Sequence, residues 1–429
     1  MQVLKSIAGL IPHKRVYSTI MDTRKNRILG SVSIFHLFND ASVVALPTIY
    51  PILYTQGYLI KRYADIGSMM FIGLIIAVLF HFVVGHWAKG RHYRLLLVLD
   101  DLTIGLFLLL TPLARNYLTL VFLYIGVRIG SSIYHPVGIS WITHVFRGKN
   151  FDRAMGIQSA FGDVGVLAAF LGTGYLAQRY GWTKPLYLWG ILCIAAALVG
   201  LALSRGTNGG EGRSKEDEAT VSWRETFRDQ RYLIPPALLS GVSWGITLAY
   251  GPSLLNHRLG ASMSLTGIVL GCWIGAGTLA SLMYGRVAAR IGRYTTIIFS
   301  CILTALTTCI IGFSMNIVAS AILLATFGWS LFLTFPALLT LVGTAAKPKN
   351  RTAAFSLNAN VQILGNASFT FAAGFMSDAW GINTPFFLLG ALSLAVAIYV
   401  IAVRRRFASH GAGAAVPSPS ELVARGISP

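Results

Sequence analysis

The sequence predicts an all-α integral membrane protein with twelve transmembrane helices arranged as two six-helix bundles. Three observations predict this fold class: an apolar composition, twelve apolar runs of spanning length, and an internal repeat between the halves. Of the 429 residues, 55% are hydrophobic and only 12% are charged. A soluble chain of ordinary composition has about 25% charged residues, so this chain has too little polar surface to coat a soluble globule.

The apolar runs have the length that a bilayer requires, which is about 20 residues of helix. Proline and glycine interrupt several of them, as is tolerated in membranes because neighbouring groups satisfy the freed backbone atoms. The predicted spans are 30–55, 65–88, 94–113, 117–141, 153–177, 184–204, 232–256, 264–286, 294–314, 316–344, 352–377 and 383–403.

Basic residues predict the orientation of the spans. The termini and the alternate loops on their side hold 28 of the 35 Lys and Arg residues, and the opposite loops hold 6. This bias predicts a multi-pass protein of the plasma (inner) membrane with both termini in the cytoplasm. The formal charge of +20 could suggest nucleic-acid binding, but the basic residues form short clusters between apolar runs, which excludes a phosphate-binding groove as their main role.

The domain organisation follows from the spans. The longest loop is polar, contains Gly209 and Gly210, and divides the chain into similar halves. Four cysteines lie inside apolar runs without ligand spacing, so no metal site or disulfide is predicted from them. The predicted segments are a basic N-terminal segment 1–29, a bundle 30–204, a cytoplasmic linker 205–231, a bundle 232–403 and a cytoplasmic tail 404–429.

The halves repeat with a spacing of 200 residues. One ungapped register pairs Gly85 with Gly285 and Pro136 with Pro336, and it continues to Gly190 and Gly390. Two bundles of the same polarity form a parallel repeat, typical of alternating-access transporters whose substrate site is near the midplane. A duplicated scaffold without transport is the alternative.

The loop that follows the second span, Gly85-His-Trp-Ala-Lys-Gly-Arg-His-Tyr-Arg94, resembles a degraded signature of the major facilitator superfamily. Its counterpart in the second half, Gly285-Arg-Val-Ala-Ala-Arg-Ile-Gly-Arg293, resembles the signature more closely. The resemblance covers nearly the whole chain and implies that these loops gate the transporter. The residues so implicated are Gly85, Arg91, Gly285, Arg290 and Arg293.

Two segments are similar to the fosmidomycin-resistance transporters within that superfamily. The first is His36-Leu-Phe-Asn39-Asp40, and the second is Gly130-Ser-Ser-Ile-Tyr-His135-Pro136, which leads to Gln158-Ser-Ala-Phe-Gly162. This resemblance implies efflux of drugs or metabolites driven by protons.

Ionisable side chains at membrane depth are candidate functional residues, because their insertion is costly unless they are paired or hydrated. Counting about 1.5 Å per helical residue places Asp40, Arg128 and Asp163 near the midplane. His36 and His135 lie about one turn toward the cytoplasmic side. The sequence predicts that the aspartates and histidines couple protons and that Arg128 binds an anionic substrate. The alternative is a static bridge between Arg128 and one of the two aspartates.

Polar and aromatic residues without charge are predicted to line the substrate path together with Arg128. Asp100 and Asp101 are expected near the cytoplasmic end of the third span, facing basic loops. The predicted substrate-binding residues are Asn39, Gln158, Trp244, Tyr250, Asn358 and Gln362.

The predicted function is secondary active transport of a small solute by alternating access, as proton-coupled efflux of an anionic, phosphonate-like or drug-like compound. Proton-coupled uptake of an organic metabolite is one alternative, and a sensor, a scaffold or an intramembrane enzyme on the same fold are others. No enzymatic motif or nucleotide-binding loop is present, so no catalysis and no cofactor are predicted. The expected partners are the solute, protons and membrane lipids, and the chain is expected to be monomeric.

Overall fold

The computed structural model describes residues 13–88, 92–146, 148–207, 222–347 and 350–411. These residues form helices joined by short turns. In chain order the helices are α1 His13–Thr48, α2 Tyr50–Gln56, α3 Tyr63–Trp87, α4 Tyr93–Leu110, α5 Tyr117–Ser131, α6 Tyr134–Val145, α7 Gly148–Tyr180, α8 Thr183–Leu203, α9 Trp223–Gln230, α10 Ile234–Ser253, α11 Met263–Ile291, α12 Arg293–Phe313, α13 Ile317–Ala345, α14 Arg351–Trp380 and α15 Thr384–Gly411.

The helices confirm the membrane fold. Ten described stretches are long and apolar enough to span a bilayer, and an eleventh is reached only when Ile234–Arg258 is counted together with α9, from which it is bent by 81°. The helix α14 has 30 residues and is long enough to span a bilayer, but its amide side chains lower its mean hydropathy and it is not among these stretches. A span that is too polar for lipid on all sides has to place those amides against protein or water.

Two of the spans are broken by proline. Pro47 lies inside α1 and Pro51 lies in the first turn of α2, so the first span breaks at Ile49. The fourth span breaks between α5 and α6, three residues before Pro136. Proline has no backbone N–H and crowds the preceding turn, so a helix ends close before it. Each break leaves backbone groups that side chains must satisfy.

The contacts divide the described chain into two compact units. The first comprises the ranges Met1–Gly212 and Gly251–Ile274, and the second comprises Arg213–Tyr250 and Gly275–Pro429. Within the first unit α1 packs on α7 and α8, and α4 packs on α5 and α8. Within the second unit α12 packs on α13 and α15.

The internal repeat is visible in the packing inside each unit. A Cβ atom at Gly190 would lie 2.9 Å from the carbonyl oxygen of Gly105, and one at Gly390 would lie 3.2 Å from that of Ala305. Both pairs are related by the spacing of 200 residues. The same close helix approach therefore recurs in both halves.

The predicted gating loops are only partly described. Gly85 lies in the last turns of α3, and Arg91 lies outside the described residues. In the second half α11 and α12 are joined at Gly292, whose φ of +82° is a conformation that glycine adopts without strain. Arg290 and Arg293 flank this turn and are exposed.

The predicted linker is also partly described. Residues 208–221 lie outside the described residues, but residues 223–230 form the helix α9 where a flexible segment is predicted from the sequence. Ser222 begins the helix, because its hydroxyl accepts a hydrogen bond from the backbone N–H of Glu225.

Candidate functional site

Three of the predicted coupling residues form a cluster in the first unit. His36 and Asp40 are one turn apart on α1, and the His36 Nε2 atom is 3.1 Å from Asp40 Oδ2. His135, in the first turn of α6, has its Nε2 atom 3.8 Å from Asp40 Oδ1. The Asp40 carboxylate therefore lies between two imidazoles from different helices.

A hydrogen bond fixes the protonation of His36 at one nitrogen. Its Nδ1 atom is 2.7 Å from the carbonyl oxygen of Gln158, and a carbonyl can only accept, so Nδ1 carries the hydrogen. In a neutral imidazole the Nε2 atom then carries a lone pair, which faces the Asp40 carboxylate. Nε2 makes no hydrogen bond among the described residues. Because two acceptors in contact repel each other, the pair is favourable only when it holds a proton or another cation.

Asn39 and Asp100 provide hydrogen-bond partners for backbone groups at the break in the fourth span. The Asn39 Nδ2 group donates to the carbonyl oxygen of Ser131 at the end of α5 and to the Asp100 carboxylate, at 3.3 Å and 3.2 Å respectively. Asp100 Oδ1 in turn accepts from the backbone N–H of Tyr134, at 3.2 Å. The freed backbone groups thus have side-chain partners, and these contacts fix the first turn of α6, which presents His135 to Asp40.

Tyr134 and Gln158 form the other wall of the cluster. The Tyr134 ring stacks on the imidazole of His36, with centroids 4.4 Å apart. Its hydroxyl group donates to Gln158 Oε1 at 2.9 Å. Gln158 thus contacts His36 through its backbone and Tyr134 through its side chain, which makes it a positioning residue rather than a free substrate ligand in this conformation.

The helix α7 approaches the cluster through Gly162. A Cβ atom at this position would lie 2.7 Å from His36 Cε1 and 2.8 Å from Asp40 Oδ2. Both distances are below any normal carbon contact, so a side chain here would displace the histidine or the carboxylate. Gly156, six residues earlier on the same helix, has no atom within 4 Å of its hypothetical Cβ.

We expect Gly162→Ala to destabilise the fold by about 1–3 kcal/mol, which is the usual cost of forcing an extra methyl group into a packed site. Gly156→Ala is the matched control and should be neutral or slightly stabilising, because alanine favours helix. Thermal unfolding of the purified variants in detergent measures both effects. Equal midpoints for the two variants would contradict the close approach at Gly162.

The cluster has the composition of a cation site as well as of a proton site. The ligand atoms of His36, Asp40 and His135 all lie within 4.8 Å of one another. Two imidazoles and a carboxylate suit divalent transition metals, and the same groups also share protons near neutral pH. Removal of metal by a chelator is therefore a necessary control in any transport assay.

Arg128 lies near the cluster but does not pair with a carboxylate. Its side chain is partly buried, its Nε atom has no hydrogen-bond partner among the described residues, and no described carboxylate lies within 4.0 Å of its nitrogens. It is close enough to Asp40 to interact with it electrostatically. The alternative of a static bridge between Arg128 and Asp40 is not formed among the described residues, and the two histidines lie beside Asp40 instead. Asp163 is partly buried and interacts electrostatically with His36.

Comparison with known proteins identifies the family. The sequence profile of the Major Facilitator Superfamily matches residues 32–279 and, as a second match, residues 237–426. Together the two matches cover nearly all of the chain. The chain belongs to the Major Facilitator Superfamily. It is therefore a transporter by family. A search of curated proteins gives no significant match.

Solved structures share the fold of this superfamily member at low sequence identity. A bacterial homolog to the human lysosomal transporter Spinster, in an inward-facing and unoccupied conformation, is 14% identical with a TM-score of 0.70, covering 91% of this chain and 97% of that chain. The nucleoside transporter NupG is 14% identical with a TM-score of 0.71, covering 89% of this chain and 99% of that chain. At this identity the structural likeness shows the fold alone and does not indicate which substrate this chain transports.

The predicted substrate residues of the second unit are less available in this Major Facilitator protein than the sequence suggests. Tyr250 is fully buried and its hydroxyl donates to the carbonyl oxygen of Thr370 at 2.6 Å. Trp244 is partly buried, with its ring centroid 6.2 Å from that of Phe332. Tyr250 thus supports α14 and does not present its hydroxyl to a solute.

The amides of α14 remain the best polar candidates in the second unit. Asn358 is buried, and its Oδ1 atom has no hydrogen-bond partner among the described residues. It lines a small pocket with Gln230, whose Oε1 atom also has no hydrogen-bond partner among the described residues. Gln362 is partly buried, and its backbone packs closely against Gly241.

Asp100 and Asp101 do not face basic loops, and the prediction from the sequence is wrong. Both are fully buried in α4, and Asp100 accepts a hydrogen bond from the backbone at the break between α5 and α6. Asp101 has no hydrogen-bond partner for either oxygen among the described residues, and nothing in the structure assigns it a role. A signal for Asp100 was available: an acid on the third span can cap the α6 helix that proline opens in the fourth.

A second histidine contact, which the sequence did not indicate, lies in the first unit. His257 Nε2 is 3.0 Å from the carbonyl oxygen of Pro51, and its Nδ1 accepts from the hydroxyl group of Tyr63 at 3.0 Å. His257 belongs to the π-helical turn Leu254–Arg258. Such turns are rare and are frequent at functional sites.

Proposed function

We propose that this Major Facilitator protein is a secondary active transporter that exports a small anionic, phosphonate-like or drug-like solute in exchange for protons. The proposal extends the resemblance of the first, fourth and fifth spans to the fosmidomycin-resistance transporters. Transport proceeds by alternating access, as in other proteins built from parallel repeats.

The contact between His36 and Asp40 is the observation that carries the proton coupling. The Gln158 carbonyl holds the hydrogen of His36 on Nδ1, so the Nε2–Oδ2 contact of 3.1 Å is stabilised when the pair binds a proton. His135 offers a second imidazole 3.8 Å from the same carboxylate. A proton in this cluster has three alternative positions, and a change in the distances between α1 and α6 would shift its affinity.

Arg128 supports an anionic substrate. A partly buried guanidinium whose Nε atom has no partner among the described residues is costly unless a ligand or water pairs with it. The planar guanidinium group binds two oxygens of a carboxylate or phosphonate at once. Since Arg128 also interacts with Asp40, an anion bound to Arg128 changes the electrostatics of the coupling carboxylate. Substrate and proton binding are then linked.

The orientation proposed for this transporter places both termini and the linker in the cytoplasm of a cell with the protein in its plasma (inner) membrane. In a cysteine-free background, single cysteines at positions 115, 180 and 258 should react with an impermeant thiol reagent added to intact cells. A cysteine at position 215 should react only after lysis. Labelling at 215 in intact cells would reverse the orientation.

Transport in proteoliposomes tests the proposed function. Purified protein should accumulate an anionic solute from a phosphonate and drug screen only when a proton gradient of the correct sign is imposed. A chelator such as EDTA should leave the rate unchanged, because the proposed cargo of the cluster is a proton. Gradient-independent accumulation, or loss of accumulation on chelation, would contradict proton coupling.

A further inference from the structure

The helix α9 has an orientation that differs from that of a span. Its axis is bent by 81° from the spanning helix that follows it, Ile234–Arg258. A helix nearly perpendicular to a transmembrane helix runs along the membrane plane. Because only three residues separate the two helices, α9 lies at the level where the span enters the bilayer.

Two large aromatic side chains of α9 are exposed. Trp223 and Phe227 are 54% and 56% exposed. They are four residues apart, so about 40° separates them around the helix and they form one apolar edge. Tryptophan in particular favours the interface between the hydrocarbon core and the headgroups. An apolar edge in this position would be costly in water and favourable in the outer part of the bilayer.

Basic side chains lie beside this edge. Arg224 and Arg228 are exposed and follow the aromatic residues by about 100° around the helix. Arg231 follows directly after the helix and is also exposed, with its guanidinium carbon 4.6 Å from the centroid of the Tyr232 ring. The exposed half of α9 thus has an aromatic edge and a basic edge, which is the pattern of helices that lie on anionic membranes.

The opposite face of α9 is fixed to the second unit. Glu225 accepts from Lys347 Nζ at 3.3 Å and from Asn350 Nδ2 at 3.1 Å. Gln230 Nε2 donates to the carbonyl oxygen of Val342 at 3.2 Å, and Thr226 is buried. These contacts hold α9 against the ends of α13 and α14. Its aromatic and basic edges therefore remain directed away from the unit.

We propose that the exposed face of α9, formed by Trp223, Arg224, Phe227, Arg228 and Arg231, binds the anionic phospholipid headgroups of the membrane that the protein spans. The aromatic side chains enter the interface, and the arginines pair with lipid phosphates. The charge of the arginines selects this occupant over a neutral apolar surface. Lipid composition would then act on the ends of α13 and α14 through Glu225.

Backbone hydrogen exchange of the reconstituted protein tests this assignment. The amides of residues 223–230 should exchange more slowly in nanodiscs that contain about a third phosphatidylglycerol than in phosphatidylcholine alone, by about fivefold for each arginine engaged. The double variant R224Q/R228Q should lose this difference. The matched control R179Q, which removes an exposed arginine at the end of α7, should keep it.

Each alternative outcome overturns the assignment. Equal exchange rates in both lipids for the unmodified protein would exclude recognition of anionic headgroups. If exchange is equally slow in both lipids, the aromatic edge alone binds the helix to the bilayer. A difference that survives in R224Q/R228Q assigns the selectivity to other residues. Inorganic phosphate added to phosphatidylcholine nanodiscs should not change the exchange rate. Slower exchange in free phosphate would mean that the arginines bind a free anion and not the headgroups of the bilayer. The measurement does not depend on transport.

Discussion

Asp40→Asn is expected to abolish accumulation of the substrate against its gradient and to leave exchange between equal pools of substrate intact. Asparagine has the shape of the protonated acid but cannot release a proton. The variant therefore fixes the coupling site in one state while the substrate site and the conformational change remain. We expect uphill transport in proteoliposomes to fall to the level of protein-free vesicles, with labelled-substrate exchange close to that of the unmodified protein.

Asp163→Asn is the matched comparison for this experiment. Asp163 is partly buried on α7 and interacts electrostatically with His36, whereas Asp40 contacts both histidines directly. We expect Asp163→Asn to retain uphill transport at a reduced rate. If Asp40→Asn instead loses expression, or loses exchange together with accumulation, Asp40 is a structural residue. If both variants still concentrate substrate, neither acid carries the proton.

Arg128→Ala should weaken binding of an anionic substrate by about 100-fold or more, since removal of one partner of a buried charge pair costs about 2–5 kcal/mol. Arg128→Lys retains the charge but loses the planar fork that binds two oxygens, so a loss of about tenfold is expected. Equilibrium binding of labelled substrate to the purified protein measures both effects without depending on the proton gradient.

Arg115→Ala provides the control for Arg128, because Arg115 is an exposed residue in the turn before α5 on the same stretch of chain. It should bind substrate as the unmodified protein does. A neutral substrate found in the screen should be insensitive to all three substitutions. Unchanged binding of an anionic substrate by Arg128→Ala would assign Arg128 a role in packing, against Tyr124 and Gly73 for example.

Much of the fold could be predicted from the sequence because a bilayer imposes simple rules on length and hydropathy. The spans, their number and the repeat follow from such local features. The helix breaks did not, because they depend on tertiary partners: Asp100 lies 34 residues before the Tyr134 amide that it accepts from. The helix α9 carries the sequence signal Ser-x-x-Glu at Ser222 and Glu225, which is typical of a helix start but is easily overlooked in a polar linker.

The candidate site could be predicted in part. Counting depth along the spans places His36 and His135 at one level, about one turn from Asp40, and the structure shows both imidazoles beside the Asp40 carboxylate. Depth does not report which way a side chain faces around its helix, so the partner of Asp40 could not be chosen between Arg128 and the histidines. The same limit explains why Tyr250 is predicted to bind substrate: its depth in the span suits a ligand, but its hydroxyl group donates to the Thr370 carbonyl.

The central claim is that protons cross the membrane in exchange for the substrate, through the cluster at Asp40. The most direct measurement is the internal pH of proteoliposomes, followed with a trapped dye while substrate moves down its own gradient. The unmodified protein should move protons in the opposite direction in fixed proportion to substrate, and Asp40→Asn should move substrate by exchange with no change in pH. Substrate movement by the unmodified protein without any proton movement would contradict the claim.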